Sequence, residues 1–166
     1  MIENFDKALE WLLEHEGGYS NYDDDPETNL GVTIGVYEEF IGRKCEPDEM
    51  KSLKVEYVSP LYKKAYWDKI RGDDLPSGVD NFVFDFQVNA GSRSSKILQK
   101  VVGVTQDGGI GPQTLVAVAD NEPRFIIESM YTHRQKFYEG LDKFAKYGRG
   151  WTTRNKLARE QSLSLL

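Results

Sequence analysis

The sequence predicts a mainly α, compact single domain of seven or eight helices with one small β-hairpin. Three observations carry this. Apolar residues recur at spacings of three and four along most of the 166 residues, which is the period of an amphipathic helix. A polar stretch rich in turn formers, Ser20 to Thr33, offers the one place for short strands. The chain is also long enough to bury a core without help from metal or disulfide, and Cys45 has no second cysteine to pair with.

The first helix is expected from about Asn4 to Glu16, with Ile2, Phe5, Leu9 and Leu12 as its apolar stripe. The next position on that stripe is Glu16, followed at once by Gly17 and Gly18, so the helix should stop with a glycine in a left-handed cap. A carboxyl there faces the core in the last helical turn. Partial burial and the negative end of the helix dipole both disfavour its ionised form, the condition that a general acid needs near neutrality. The plainer reading is a surface Glu at a frayed helix end. The hairpin that follows carries Asp25 nine residues beyond Glu16, and Thr28 three beyond that. A helix-terminal Glu facing a polar hairpin with Asp and Thr suits glycoside hydrolysis, in which one carboxyl protonates the leaving oxygen while another polar group holds water on the opposite face of the sugar. Asp23-Asp24-Asp25 lacks the glycine and closing glutamate of an EF-hand loop.

Thr33 should cap a short helix through Val36, Tyr37, Phe40 and Ile41 that Gly42 ends. A turn begins at Pro47. Val58, Leu61, Tyr62, Ala65 and Tyr66 then form a helical pattern, with Ser59-Pro60 as either a kink or a new start. The most apolar helix opens near Asp80 with Val79, Phe82, Val83, Phe86 and Ala90 as its stripe. It should be the central, buried one, and Asp85, Gln87 and Asn89 on it each need a hydrogen-bond partner. They either tie the core together or line a sugar site. Ser92 should cap a helix running to Gly103, and Gly111-Pro112 should form a turn and a helix start of purely structural role. The last helices are expected at about Pro123 to Gly140, Leu141 to Tyr147 and Thr152 to Ser162, with Gly148 to Trp151 as a joint.

The net charge is −6, but from His133 onward cations dominate, Arg149, Arg154, Lys156 and Arg159 among them. That end either attracts an anionic polymer or is an ordinary solvated face. The acidic balance and the absence of any binding motif disfavour nucleic acid. Two His and one Cys make a zinc site or a thiol nucleophile a poor fit. No stretch approaches the roughly 20 apolar residues of a membrane span, and the acidic start is unlike a signal peptide, so the expectation is a cytoplasmic chain.

The run His15-Glu16-Gly17-Gly18-Tyr19, the pair Tyr66-Trp67, the run Phe84 to Gly91 and Asp107 to Thr114 together resemble the glycoside hydrolase family 108 muramidases of phage and prophage endolysins. The resemblance implies one lysozyme-like domain over 1–166, with a muramidase-like portion at 1–91 and a peptidoglycan-binding-like helical portion at 92–166. It implies a cleft between the Glu16 hairpin region and the later helices, and hydrolysis of the β-1,4 bond between N-acetylmuramic acid and N-acetylglucosamine. Glu16 would be the general acid, with Asp25 and Thr28 positioning water for inversion. Tyr19, Asn21, Tyr62, Tyr66, Asp85, Gln87 and Asn89 would bind the glycan. No cofactor is implied. The partners are peptidoglycan strands and a holin-type membrane partner that releases a monomeric enzyme from the host bacterial cytoplasm. The family usually has a Gly-Gly pair before its Thr, whereas here Asp25-Pro26 passes straight to Glu27-Thr28. Asp23, Asp24 and Glu27 therefore compete for the place of Asp25. A catalytically silent peptidoglycan-binding or secretion-associated module is the alternative, and lytic transglycosylase chemistry is a variant within the enzyme class.

Overall fold

The computed structural model describes residues 4–21 and 26–166. In chain order it contains α1 (Phe5–His15), β1 (Thr28–Asn29), β2 (Val32–Thr33), α2 (Ile34–Ile41), α3 (Val55–Tyr62), α4 (Val79–Ala90), α5 (Arg93–Val101), α6 (Pro112–Ala119), α7 (Pro123–Glu139) and α8 (Phe144–Leu163). A π-helical turn, Lys63–Trp67, continues α3, and a 3-10 turn spans Gly72–Asp74. The mainly α class and the single hairpin are as the sequence predicts, with eight α-helices among the described residues. The chain packs as two units: Asp6–Ala65, and Met1–Phe5 with Tyr66–Leu166.

In the first of these, the apolar stripe of α1 buries Ala8, Leu9 and Leu12. Helix α1 ends at His15, but neither Gly17 nor Gly18 adopts the expected left-handed conformation. The chain instead runs on extended into Ser20, which exchanges two backbone hydrogen bonds of 2.8 and 2.9 Å with Thr28. A strand-like exit uses negative φ, so the glycines cap nothing. Strands β1 and β2 pair antiparallel with Thr28 opposite Thr33 and Asn29 opposite Val32. Thr33 caps α2 as expected, its Oγ1 accepting from Val36 N at 3.4 Å, and Gly42 ends the helix with φ +72°. Pro60 lies inside α3, so Ser59-Pro60 starts no new helix; the change to π geometry follows it directly.

The other unit is built around α4, whose first nine residues, Val79 to Gln87, are buried. Asp80 secures its start, Oδ1 accepting from the backbone N–H of Gly78 at 2.8 Å and of Asn81 at 2.7 Å. Phe84 meets Phe5 and Trp67 edge to face, with ring centroids 6.0 and 5.3 Å away. Such pairs add to plain area burial. Ser92 makes no cap hydrogen bond; the next serine, Ser94, is buried and donates to Val83 O at 2.8 Å, joining α5 to α4. Gly111 is extended, with open space where a side chain would go, so it is not the constrained glycine of its loop. Gly148 and Gly150 do not break the C-terminal region either: α8 is one helix through both. A Cβ at Gly148 would lie 2.6 Å from the Phe144 ring. The glycine is there to let that ring lie flat on its own helix. Trp151 stacks at a tilt on Tyr138, centroids 5.5 Å apart.

Helices α4, α7 and α8 meet at a buried charge. Arg134 on α7 is fully buried. Its Nη2 lies 2.6 Å from Asp85 Oδ1, a charge contact without hydrogen-bond alignment, and its guanidinium carbon is 4.8 Å from the Phe86 ring centroid. Arg154 of α8 donates to Asp85 Oδ2 through Nε at 3.2 Å and Nη2 at 3.0 Å. Burial pushes the Asp85 carboxyl up, but the two guanidinium charges and the Arg154 hydrogen bonds outweigh it and hold the group below the usual carboxylate range.

A carboxyl depressed in the folded state contributes stability that is present above its unfolded value, about 3.9, and is lost as pH falls through the folded value. Asp85→Asn should therefore lower unfolding free energy at neutral pH by about 3–5 kcal/mol, the cost of leaving a buried partner unpaired. It should also flatten the loss of stability at acid pH. Denaturant unfolding across that range reads both effects.

Candidate active site

Glu16 is the first residue past α1, half-buried. Opposite it lies the hairpin tip. Leu30 (φ 49°) and Gly31 (φ 73°) both have left-handed φ, as a two-residue turn matched to strand twist requires. Three side-chain hydrogen bonds hold the tip. Asn29 Oδ1 accepts from Leu30 N at 2.9 Å, Asn29 Nδ2 donates to Met50 O at 2.7 Å, and the Tyr62 hydroxyl donates to Leu30 O at 2.9 Å. A Cβ at Gly31 would stand 2.6 Å from the Tyr62 hydroxyl and 3.0 Å from both Cγ and Oε2 of Glu16. The carboxyl of Glu16 and the hydroxyl of Tyr62 thus flank one glycine, and only a residue without a side chain fits between them. A carboxyl packed against turn backbone is restricted in rotamer and partly screened from water. It can deliver a proton in a defined direction.

Around it the predicted residues fall out as follows. Tyr19 is half-buried, and Lys51 Nζ lies 5.8 Å from its ring centroid. Burial, then the neighbouring Glu27 carboxylate, raise its phenol above the ordinary value, against an opposing contribution from Asn21. Asn21 itself is exposed. The Thr28 hydroxyl donates to Pro26 O at 2.8 Å, so toward a water it can act only as acceptor. Tyr62 is buried to 1 % exposure and offers no ring face for stacking on a sugar; its hydroxyl is what reaches the tip. Asp25, with Asp23 and Asp24, lies outside the described residues.

Tyr66, Asp85, Gln87 and Asn89 belong to the other unit. Tyr66 is half-buried on the π turn. Asp85 is committed to Arg134 and Arg154 in the interior. Gln87 is buried with no hydrogen-bond partner for Oε1 among the described residues. Asn89 is exposed, and its orientation is fixed from inside. Arg134 Nε can only donate, and it donates to the Tyr138 hydroxyl oxygen at 2.8 Å. That hydroxyl in turn donates to Asn89 Oδ1 at 2.5 Å, a length natural for O–H···O and short for the roughly 2.7–3.2 Å of N–H···O. Burial raises the Tyr138 phenol above its ordinary value, which keeps its proton in place. The amide of Asn89 therefore turns its NH₂ outward, ready to donate to a carbonyl or hydroxyl oxygen.

Among the described residues no three His, Cys, Asp or Glu side chains are grouped to hold a metal, and no helix is long and apolar enough to cross a membrane. Burial, then Glu49 and Glu38, push the Cys45 thiol up, the reverse of an activated nucleophile. The basic C-terminal segment is largely spent on internal partners: Arg154 on Asp85, Arg159 on Glu128 through two hydrogen bonds of 2.7 and 2.5 Å, and Lys156 facing Glu160 at 3.9 Å. Sequence reasoning missed two things here. Gly31 is a wall of the Glu16 site, for which Asn29-Leu30-Gly31 as a turn between polar strands was the available signal. Arg134 orients Asn89 through Tyr138, and the four-residue spacing of Arg134 and Tyr138 on one helix was the only trace of it.

Gly31→Ala should destabilise the protein by more than the ~1–2 kcal/mol of a left-handed Cβ, because the methyl also meets Tyr62 and Glu16. Gly17→Ala, where nothing lies within 4 Å and φ is not left-handed, should be neutral or slightly stabilising. Thermal unfolding of the pair separates a packing constraint at Gly31 from general loss of backbone freedom.

Residues 9–91 match the family model for glycosyl hydrolase 108, and residues 93–156 match that for a predicted peptidoglycan domain. No curated protein matches the chain. Among solved structures, Brucella abortus SagA is similar at 39% identity and a TM-score of 0.86, over 99% of this chain and 97% of that one. The two matched segments carry the residues just described, Glu16, Gly31, Tyr62 and Asn89 in the first and Arg134 and Tyr138 in the second: the chain belongs to the glycosyl hydrolase 108 family, with a predicted peptidoglycan domain following in the same chain.

Proposed function

We infer that the protein hydrolyses or binds peptidoglycan, a role that the family and the peptidoglycan domain support. We propose that the protein is an endolysin-like N-acetylmuramidase of phage type, with Glu16 as the general acid at the β-1,4 bond between N-acetylmuramic acid and N-acetylglucosamine. The observation that carries this reading is the packing of the Glu16 carboxyl against Gly31 beside Tyr62. A half-buried carboxyl with a fixed direction is what protonation of a glycosidic oxygen needs. Asp25 and Thr28 hold the attacking water. The Thr28 hydroxyl, already donating to Pro26 O, accepts a hydrogen from that water, and Asp25 removes the other as bond formation proceeds. Water arriving from the face opposite the acid inverts the anomeric centre. Asn89 donates its outward NH₂ to a carbonyl of the glycan, the acetamido oxygen being the fitting acceptor. The enzyme acts as a monomer, and release to the wall depends on a holin-type membrane partner.

Glu16→Gln keeps the shape and hydrogen bonding of the side chain but has no proton to give. Turnover on purified peptidoglycan should fall by roughly 10²–10⁴-fold, the usual share of general acid catalysis, with the fold intact by circular dichroism. Near-normal turnover in that variant would overturn the assignment of Glu16. Absence of released reducing ends from the unaltered protein would favour a silent binding module.

A further inference from the structure

Helix α5 presents Arg93, Lys96 and Lys100 at spacings of three and four residues, hence along one face. With Ser92 and Gln106 they line a depression of about 320 Å³, at the lower end of the roughly 300–1,000 Å³ of ligand pockets. All three cations are exposed, and among the described residues none of them forms an ion pair. Two of them are nonetheless held or bounded. The Arg93 guanidinium lies 4.3 Å from the Phe137 ring centroid, an arrangement that restrains the plane and leaves N–H groups at its edge for a carboxylate. The stem of Lys96 runs beside Gly108, its Cε 3.3 Å and Cγ 3.6 Å from where a Cβ would stand. The neighbouring acid, Asp107, is not part of the lining, and its Oδ1 is held in its own loop, accepting from Gln99 Nε2 at 2.7 Å and from Gly109 N at 2.9 Å. On α7, His133 is lowered by burial and then by the fields of Lys100 and Lys136. An uncompensated positive region thus persists in a chain of net charge −6.

We propose that this depression is a binding subsite for the carboxylates of the peptide stems attached to the glycan. The inference rests on the reading above that peptidoglycan is the polymer handled. Its sugars present hydroxyls and acetamido groups, and the lactyl carboxyl is taken up in the amide that joins sugar to peptide. The negative charges of the strand are therefore on the stems. Three separated cations match several carboxylates spaced along a short peptide better than one compact anion, and the planar guanidinium matches a carboxylate's two oxygens. Ser92 and Gln106 add hydrogen-bonding groups at the rim for the peptide's amides. The site selects glycan that still carries stems, and so favours intact wall over stripped glycan.

The test uses the full chain with three probes: a soluble disaccharide-peptide fragment of peptidoglycan, a bare disaccharide whose lactyl carboxyl is capped as a simple methylamide in place of the peptide, and inorganic phosphate. In the Arg93→Gln/Lys96→Gln double variant, affinity for the disaccharide-peptide should weaken about tenfold or more, the loss expected for charge-assisted hydrogen bonds. Affinity for the bare disaccharide should stay the same. The disaccharide-peptide should also raise the NMR-measured His133 pKa, because an anion beside Lys100 relieves the repulsion on the imidazolium. Both substituted residues are exposed, so an unchanged melting point is expected and checks the fold. Equal affinity of variant and unaltered protein for the disaccharide-peptide would overturn the proposal, as would phosphate binding as tightly as the fragment with the same His133 response. The readout is binding, not cleavage. A protein that binds stems without cutting glycan fails the muramidase reading alone, and one that cuts glycan without distinguishing the two disaccharides fails this proposal alone.

Discussion

A buried guanidinium organises the C-terminal unit. Taking an arginine out of water costs several kcal/mol unless its charge is met, and Arg134 is fully buried. The charge is met by Asp85 on α4, with Arg154 of α8 on the far oxygen of the same carboxylate. The aromatic faces of Phe82, Phe86 and Tyr138 lie around it, 5.6, 4.8 and 5.5 Å from the guanidinium carbon. A packing of α7 that slid away from α4 would strand both charges. The three helices are therefore fixed relative to one another by an interaction that tolerates no register error. Its consequence reaches the surface, since the same guanidinium polarises Tyr138 and so decides which end of the Asn89 amide is presented.

The Asp6–Ala65 unit relies on closeness of backbone instead of charge. The left-handed turn at Leu30-Gly31 brings peptide groups against Glu16 and Tyr62. Tyr62 closes the arrangement by donating to the Leu30 carbonyl. The Glu16 carboxyl and the polar hairpin that faces it are thus parts of one packed feature. Loops in general carry chemistry on a rigid support. Here the support is a helix end, a two-residue turn and one tyrosine hydroxyl.

The helices were legible because periodicity survives in a single sequence. The half-buried place of Glu16 at the end of α1 was legible because a carboxylate interrupts an apolar stripe. Local rules failed where tertiary packing outweighed them. Gly148 and Gly150 look like breakers, yet Gly148 sits in mid-helix to make room for the Phe144 ring. Gly17-Gly18 looks like a cap, yet the chain runs on extended to pair Ser20 with Thr28. Arg134 falls in the C-terminal run of cations, where charge usually lies outside. Nothing in its neighbours announces Asp85, 49 positions earlier in the chain. Tyr62 was expected to bind the glycan, but its ring is buried and its hydroxyl reaches the hairpin tip. Contacts of this kind depend on the folded path and leave no pattern at short spacing.

The central claim is that this chain hydrolyses the glycan of peptidoglycan at the Glu16 site. Its most direct test is mass spectrometry of the products released from purified peptidoglycan in water enriched in heavy oxygen. The account predicts that each cut leaves a reducing N-acetylmuramic acid end carrying one heavy oxygen atom. Ends in anhydro form without heavy oxygen, or no new ends at all, would contradict it.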